Sequence, residues 1–156
     1  MPTDVTDLVA AARDGDKAAF DELVRATYAE SYTLAYRLTG DDDDAHDVVQ
    51  EAYLRAFRGL RRFRGDAQFS TWMYRITANC AATFLGKRSK NRHDELTDEL
   101  VGDEVASTID PEASLDAAAT RDRLQQALRR LPPRLRAVVV LRVVYDLPHE
   151  SIAAEL

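Results

Sequence analysis

Residues 47–80 read DVVQEAYLRAFRGLRRFRGDAQFSTWMYRITANC, and this stretch decides the fold. Its apolar residues recur every three or four positions in two runs, on either side of Arg64-Gly65-Asp66, which is the spacing of a helix with one buried face. The first run predicts a helix from about 44 to 60, preceded by an acidic turn and N-cap at 41–44. The second predicts a helix from about 71 to 85 with Ser70 as its N-cap. The side chains expected inside are Val48, Val49, Ala52, Tyr53, Ala56, Phe57, Leu60, Trp72, Met73, Ile76, Cys80 and Phe84.

The same stretch alternates arginines with aromatic residues. Arginine neutralises phosphate groups, and an aromatic face can replace a neighbouring base at roughly 1–3 kcal/mol per stacked base. Several such contacts can offset the cost of unstacking bases and so hold a locally opened strand. Tyr53, Phe57 and Trp72 fall at core spacing and are expected inside. Phe63, next to Arg64 and Gly65, is expected to be the exposed base reader.

Charge is sorted into blocks along the chain, although the net charge is −6. Residues 1–52 carry 4 basic and 13 acidic side chains, whereas residues 53–92 carry 10 basic and 1 acidic. Residues 93–120 carry 9 acidic groups and no Lys or Arg, and residues 121–156 carry 7 basic and 4 acidic. A basic block inside an acidic protein indicates a polyanion site, with a solvated helix face as the alternative.

Helical spacing extends outward on both sides. Short helices are expected at 4–13 and from Asp16 to Gly40, and further helices at 111–131 and 134–145, with another starting at Pro148. Leu115, Leu124, Leu128 and Leu131 are the residues expected to be buried in the 111–131 helix. The sequence therefore predicts an all-α fold of two small helical modules, 1–92 and 111–156, joined by an acidic flexible linker at 93–110.

Several functional classes are disfavoured. The single cysteine, Cys80, rules out an internal disulfide and suits a cytoplasmic protein, with a core thiol as its expected role. No apolar run is long enough to insert into a membrane. His46, His93 and His149 are scattered and form no metal or catalytic motif, so neither an enzyme nor a cofactor is expected.

The sequence resembles the sigma factors of bacterial RNA polymerase, specifically the small extracytoplasmic-function (ECF) group. The likeness begins in LVAAARDGDKAAFDELV at 8–24, peaks at 47–79 and returns in ALRRLPPRLRAVVVLRVVYDLPHESIAAEL at 127–156. The resemblance implies that 1–92 is region 2 and 111–156 is region 4. Region 2 would bind the polymerase, read the promoter minus-ten element and open it, and a helix-turn-helix in region 4 would read the minus-thirty-five element.

The resemblance also implies site residues and partners. One helix face, formed by Asp47, Gln50, Glu51 and Leu54, would dock on the clamp helices of the largest polymerase subunit, although Asp47 could instead cap or tether its own helix. The minus-ten element and its non-template single strand would be read by Phe63, Arg64, Gly65, Asp66, Ala67, Trp72, Arg75 and Asn79. Upstream phosphates would be contacted by Lys87 and Arg88, whose alternative role is to complement a helix C-terminus. The polymerase flap and an anti-sigma factor are the other expected partners.

Three features depart from the family pattern. The sequence ends in SIAAEL, the first helix of the helix-turn-helix, so the turn and recognition helix are expected to be truncated or to lie beyond Leu156. Thr83 stands where many relatives carry Asp, and Gly86 weakens the end of its helix. The rival interpretation is a one-component helix-turn-helix regulator, which would bind duplex DNA without polymerase but leaves 47–80 without a role.

Overall fold

The computed structural model describes residues 4–65, 68–95 and 117–148, together with 150 and 152. Within these ranges the chain is helical and has no β-strand, which confirms the all-α prediction. A short 3-10 turn, Leu60–Arg62, follows the third helix. The α-helices are α1 Val5–Arg13, α2 Lys17–Thr39, α3 Asp42–Gly59, α4 Phe69–Glu95, α5 Ala117–Arg130 and α6 Pro133–Val143.

Short polar side chains and one glycine set the ends of the first three helices. Asp16 caps α2 by accepting hydrogen bonds from the N–H groups of Ala18 and Ala19. Gly40 ends α2 in the left-handed conformation, with φ of 73°. Asp41 then caps α3, because its carboxylate accepts a hydrogen bond from the N–H of Asp44 at 3.0 Å. Helix α3 therefore begins at Asp42, slightly before the expected start.

Helix α4 is longer at both ends than the sequence pattern predicted. It begins at Phe69, whose buried ring anchors its first turn, so the assignment of Ser70 as N-cap is wrong. It also runs past the expected end near Leu85 to Glu95, which places 93–95 in the helix and not in the linker. A single exposed glycine, Gly86, costs a helix only about 1 kcal/mol relative to alanine, too little to end it here.

Helices α2, α3 and α4 pack against one another and form the main core. Its central side chains are fully buried and aliphatic, among them Leu23, Leu34, Val48 and Met73. Tyr53 of α3 points toward α2, and its hydroxyl forms hydrogen bonds with Ser31 and Thr27 on that helix, at 3.1 and 2.7 Å. This network satisfies the polar groups that α2 and α3 bury between them.

The C-terminal helices do not stand apart from this core. Helix α6 packs on α4 and α2, and α5 contacts α2, so the two predicted modules lie in direct contact. Leu128 is buried as expected and Leu131 half-buried, but Leu124 is 58% exposed, so its assignment to the core is wrong. Leu115 and the expected linker at 96–110 lie outside the described residues.

Neither a membrane-spanning helix nor a metal-binding cluster is found in the described part of the chain. None of its helices is both long and apolar enough to cross a membrane. It also holds no cluster of three or more His, Cys, Asp or Glu side chains placed to bind a metal ion.

Candidate polymerase and nucleic-acid interface

Helix α3 presents one face to solvent and buries the opposite face. Asp47, Gln50 and Glu51 are all exposed, and Leu54 is 49% exposed, so the structure brings the four expected docking residues onto one helix surface. Glu51 forms an ion pair with Arg55 one turn later, at 3.0 Å. Because both side chains are exposed, this pair contributes little to stability and leaves the Glu51 carboxylate accessible.

The structure of α3 bears on two expectations: a capping role for Asp47 and a core position for Phe57. Asp41, and not Asp47, caps the helix, so the capping role considered for Asp47 is wrong. Phe57 was expected in the core, but its ring is 50% exposed and makes only an edge contact with Phe20, at 5.1 Å between centroids. Phe57 lies one turn beyond Leu54 and extends the exposed face. Phe57 follows Leu54 by three residues, a spacing that places both side chains on the same side of α3. This signal was hidden in the sequence, because Phe57 also fits the apolar spacing of the buried side.

The segment that links α3 to α4 is anchored by aromatic packing. The Phe63 ring is only 8% exposed and lies 5.0 Å from Trp72 and 6.1 Å from Phe69, measured between centroids. The expectation that Phe63 is an exposed base reader is therefore wrong. The 3-10 turn, closed by the Phe63 N–H on the Leu60 carbonyl, carries the ring into the core.

The residues that follow Phe63 are exposed. Arg64 and Gly65 both face solvent, and Gly65 has φ of 77°, a conformation that residues with a Cβ rarely adopt. No atom lies within 4 Å of where a Cβ on Gly65 would stand, so the glycine is needed for its backbone conformation. Asp66 and Ala67 lie outside the described residues.

The first half of α4 carries the other expected DNA-reading residues. Trp72, Arg75 and Asn79 are partly buried, and their spacing of three and four residues places them on one side of the helix. Trp72 packs under the loop, which confirms that it belongs mainly to the core, while its half-buried state leaves part of the indole accessible. The contact between Phe63 and Trp72 thus places the start of the loop against the first turn of α4, on the side of the helix that carries Arg75 and Asn79.

Cys80 follows Asn79 but faces inward. It is 3% exposed, and burial raises the pKa of its thiol to about 11, an effect partly opposed by the positive charge of Arg55. A neutral buried thiol is a poor nucleophile and a poor metal ligand. The expected role of Cys80 as a core residue is therefore confirmed.

The two expected phosphate contacts differ in their surroundings. Lys87 is exposed on α4. Arg88 forms an ion pair with Asp44 on α3, and its guanidinium lies 5.9 Å from the centre of the Phe84 ring. The Arg88 side chain is 51% exposed, so a phosphate can still reach it, but the largely buried Asp44 carboxylate already offsets part of its charge.

Both halves of the chain match known protein families. Residues 23–91 match sigma-70 region 2, and residues 121–156 match sigma-70 region 4. The RNA polymerase sigma-H factor of Pseudomonas aeruginosa is 37% identical over 155 residues, covering 94% of this chain and 79% of that protein. The ECF RNA polymerase sigma-E factor of Escherichia coli K12 is 32% identical over 162 residues, covering 99% of this chain and 84% of that protein.

Solved structures agree with the fold. An engineered region 2 of sigmaE in complex with GTAAAA, determined by NMR, aligns with a TM-score of 0.54 at 35% identity, over 57% of this chain and 93% of that chain. The sigma factor RpoE of Bartonella quintana, in complex with the anti-sigma factor NepR, aligns with a TM-score of 0.56 at 21% identity, over 86% of this chain and 81% of that chain. At that identity the second match shows the fold alone. On these sequence matches, the chain belongs to the ECF sigma factors of bacterial RNA polymerase.

Proposed function

We propose a division of labour between two adjacent surfaces of this sigma factor. The chain is a transcription initiation factor and not an enzyme, as the family match shows. In the proposal, the exposed face of α3 binds core RNA polymerase, and the loop after α3 with one side of α4 holds the opened promoter strand. The observation that carries it is the placement of these two residue sets on consecutive elements of one packed core.

The α3 face has the composition of a protein-docking surface. Asp47 and Glu51 supply negative charge and Gln50 supplies amide donors and acceptors, around the exposed apolar side chains of Leu54 and Phe57. An apolar centre with charges at its edge is typical of protein interfaces. The acidic charges fit basic residues, which the clamp helices of the largest polymerase subunit carry in the family pattern. Electrostatic complementarity of this kind directs association and fixes orientation.

The second surface suits an unpaired nucleic-acid strand. Arg64 and Arg75 supply positive charge, and the exposed edge of Trp72 offers an aromatic surface. Asn79 carries an amide that can both donate and accept, which matches the Watson–Crick edge of an unstacked base. Because Phe63 is buried, fewer aromatic rings are available to stack on bases than the sequence predicted. The backbone at Gly65, an exposed residue, becomes the more important contact.

The remaining parts of the proposal follow from the family. Region 4 would bind the upstream promoter element and the polymerase flap, and Lys87 would contact upstream phosphates. Regulation of this chain by an anti-sigma factor is likewise proposed from its membership of the ECF family. We place the protein in the cytoplasm, where its polymerase acts. A one-component regulator is the weaker candidate, because it leaves the region 2 match at 23–91 unexplained.

Two variants test the division. Glu51→Arg should weaken binding to core polymerase by at least about tenfold, because one attraction becomes a repulsion across a charged interface. Asn79→Ala should leave that affinity unchanged and reduce promoter opening, measured by permanganate reactivity of unpaired thymines. Glu22→Arg, the same charge change at an exposed site on α2, is the matched control.

The outcome that contradicts the proposal is equal loss of polymerase binding in Glu51→Arg and Asn79→Ala. A separate measurement addresses the regulator. The free chain should bind duplex promoter DNA weakly at physiological salt, because the acidic N-terminal block opposes the basic one. Nanomolar duplex binding without polymerase would favour the one-component regulator.

A further inference from the structure

Helix α1 has no part in the proposed function, yet it borders a groove that leads away from the loop after α3. The helix packs on α2 and on the 3-10 turn, and Leu8 and Val9 bury its inner face. Three adjacent hollows follow the boundary between α1 and its neighbours, and Arg13 lines all three of them. Together they form one groove, the α1 groove, which runs from Gly65 in the loop to Phe57 in the last turn of α3.

The end of the α1 groove beside the loop can hold a nucleotide. Its hollow has a volume of about 450 Å³, within the range of small-molecule sites in proteins. The apolar side chains of Val5 and Val9 line it on the α1 side, and Thr6 and Gln68 add a hydroxyl and an amide. Both polar groups can donate and accept hydrogen bonds, so they can pair with the edges of more than one base. This end therefore suits an unpaired nucleotide of any sequence.

The rest of the α1 groove is positively charged. Four exposed cations line it: Arg13 at the end of α1, Lys17 at the start of α2, Arg58 in the last turn of α3 and Arg61 in the 3-10 turn. None of the four forms an ion pair within the part of the chain that the structure describes. Asp14 and Asp16 supply opposing charge, but the Asp16 carboxylate is engaged as the cap of α2. A row of positive charges beside a nucleotide-sized hollow fits a sugar-phosphate backbone.

We propose that the α1 groove binds the phosphates of the unpaired promoter strand just downstream of the bases held by the loop. The inference rests on the proposed function, in which the loop and one side of α4 hold the minus-ten bases and Lys87 contacts upstream phosphates. Lys87 follows Trp72 by 15 residues on α4, or about 22 Å along the helix. The upstream direction thus leads along α4, and the opposite direction leads past the loop into the α1 groove.

The far end of the α1 groove lies beside the face of α3 proposed to bind polymerase. Phe57 belongs to both surfaces, since it lines the groove and extends that face. A strand in the groove is therefore led toward the bound enzyme. Phosphate contacts position a strand without reading its sequence, so the groove adds affinity for opened DNA but no base preference.

The test compares two forked promoter probes bound by the complex of this chain with core polymerase. The non-template strand ends with the minus-ten bases in the short probe and continues downstream by several nucleotides in the long probe. Arg13→Gln combined with Arg61→Gln should weaken binding of the long probe about fivefold and leave the short probe unchanged, measured by fluorescence anisotropy. The salt slope of the long probe should fall by about 1.4, at about 0.7 for each lost phosphate contact. Arg25→Gln, at an exposed position of α2 outside the groove, is the matched control and should behave as the parent.

Photocrosslinking locates the strand without changing the charge of the groove. Thr6→Cys can carry a benzophenone maleimide, while the buried Cys80 thiol stays unlabelled. In the open complex this label should crosslink to non-template nucleotides downstream of the minus-ten bases. The same label at Glu22→Cys, an exposed position on α2, should not.

Several results would overturn the inference. Equal weakening of both probes by Arg13→Gln with Arg61→Gln would show an effect of overall charge. Weaker binding to polymerase without DNA would assign these arginines to the polymerase interface. Crosslinks from Thr6→Cys that are absent or confined to upstream nucleotides would place the strand elsewhere. The proposed function fails separately: short-probe binding that Asn79→Ala leaves unchanged would reject it, because that probe ends before the groove.

Discussion

The ring of Phe63 lies 5.0 Å from that of Trp72, and this contact fixes the start of the loop between α3 and α4 to the first turn of α4. Phe69 completes the cluster, with its ring 5.8 Å from Trp72. The exposed residues Arg64 and Gly65 therefore project from a packed aromatic base. If the loop holds the promoter strand as proposed, Phe63 serves by positioning the loop, since its buried ring is not placed to stack on a base.

Substitutions at Phe63 and Arg64 should change the free energy of unfolding by very different amounts, because Phe63 is buried and Arg64 is exposed. Phe63→Ala removes a buried ring, and changes of this kind cost about 3–5 kcal/mol in well-packed cores. Arg64→Ala, one residue later and exposed, should leave the free energy of unfolding within about 0.5 kcal/mol of the parent. Urea unfolding measures both values. If Phe63→Ala were as stable as the parent, the ring would not be the anchor that its burial indicates.

Gly65 offers a second test, based on backbone conformation. Because its φ is 77° and open space surrounds it, the size of a new side chain should matter less than its ability to adopt positive φ. Gly65→Asn should therefore retain most promoter opening, whereas Gly65→Val should lose it, since a β-branched residue is strained in this region. Permanganate footprints with saturating polymerase compare the two. Equal activity would show that the loop does not need this conformation.

The sequence predicted the helical core better than its edges. Apolar spacing correctly placed Val48, Val49 and Met73 inside, because a helix that packs on neighbours must bury one continuous stripe. The errors at Phe57 and Phe63 have another origin. Phe57 lies within α3 and shares its exposed side with Leu54, whereas Phe63 follows the 3-10 turn, which changes the direction that a residue faces. Spacing along a regular helix carries no information about that change.

The contact between the two predicted modules was also beyond the sequence pattern. Arg136 reads as an ordinary basic residue on α6, yet it is buried by carbonyl groups from two distant helix ends. Every residue has a backbone carbonyl, so a site built from carbonyl groups leaves no motif of side chains in the sequence. The face of α3 was easier to predict, because Gln50 and Glu51 follow Asp47 by three and four residues, a spacing that places all three on one side of a helix.

Cys80 provides a pH-dependent prediction. Burial raises the pKa of its thiol from 9.0 to about 11, so the folded state favours the neutral form. The resulting stability is fully present below about pH 9 and is lost as pH rises toward 11, because the unfolded chain ionises first. At pH 8 the folded protein should react with iodoacetamide far more slowly than the protein in urea. Rapid alkylation of the native chain would contradict the buried position.

The ion pair between Asp44 and Arg88 yields the last prediction. Asp44 lies in the first turn of α3, where a negative charge is favourable, and it holds the guanidinium of Arg88 against the side of α4. Asp44→Asn keeps the shape of the side chain but removes its charge, so Arg88 becomes available to phosphate. Non-specific DNA binding by the polymerase complex should then become steeper in its salt dependence, by about one released counterion. Asp43→Asn, a neighbouring exposed position in the same turn, is the control for the change in net charge. The double variant Asp44→Asn with Arg88→Gln should return the salt slope to that of the parent. If Asp44→Asn and Asp43→Asn shift the slope equally, the effect belongs to overall charge, and the ion pair does not hold Arg88 away from DNA.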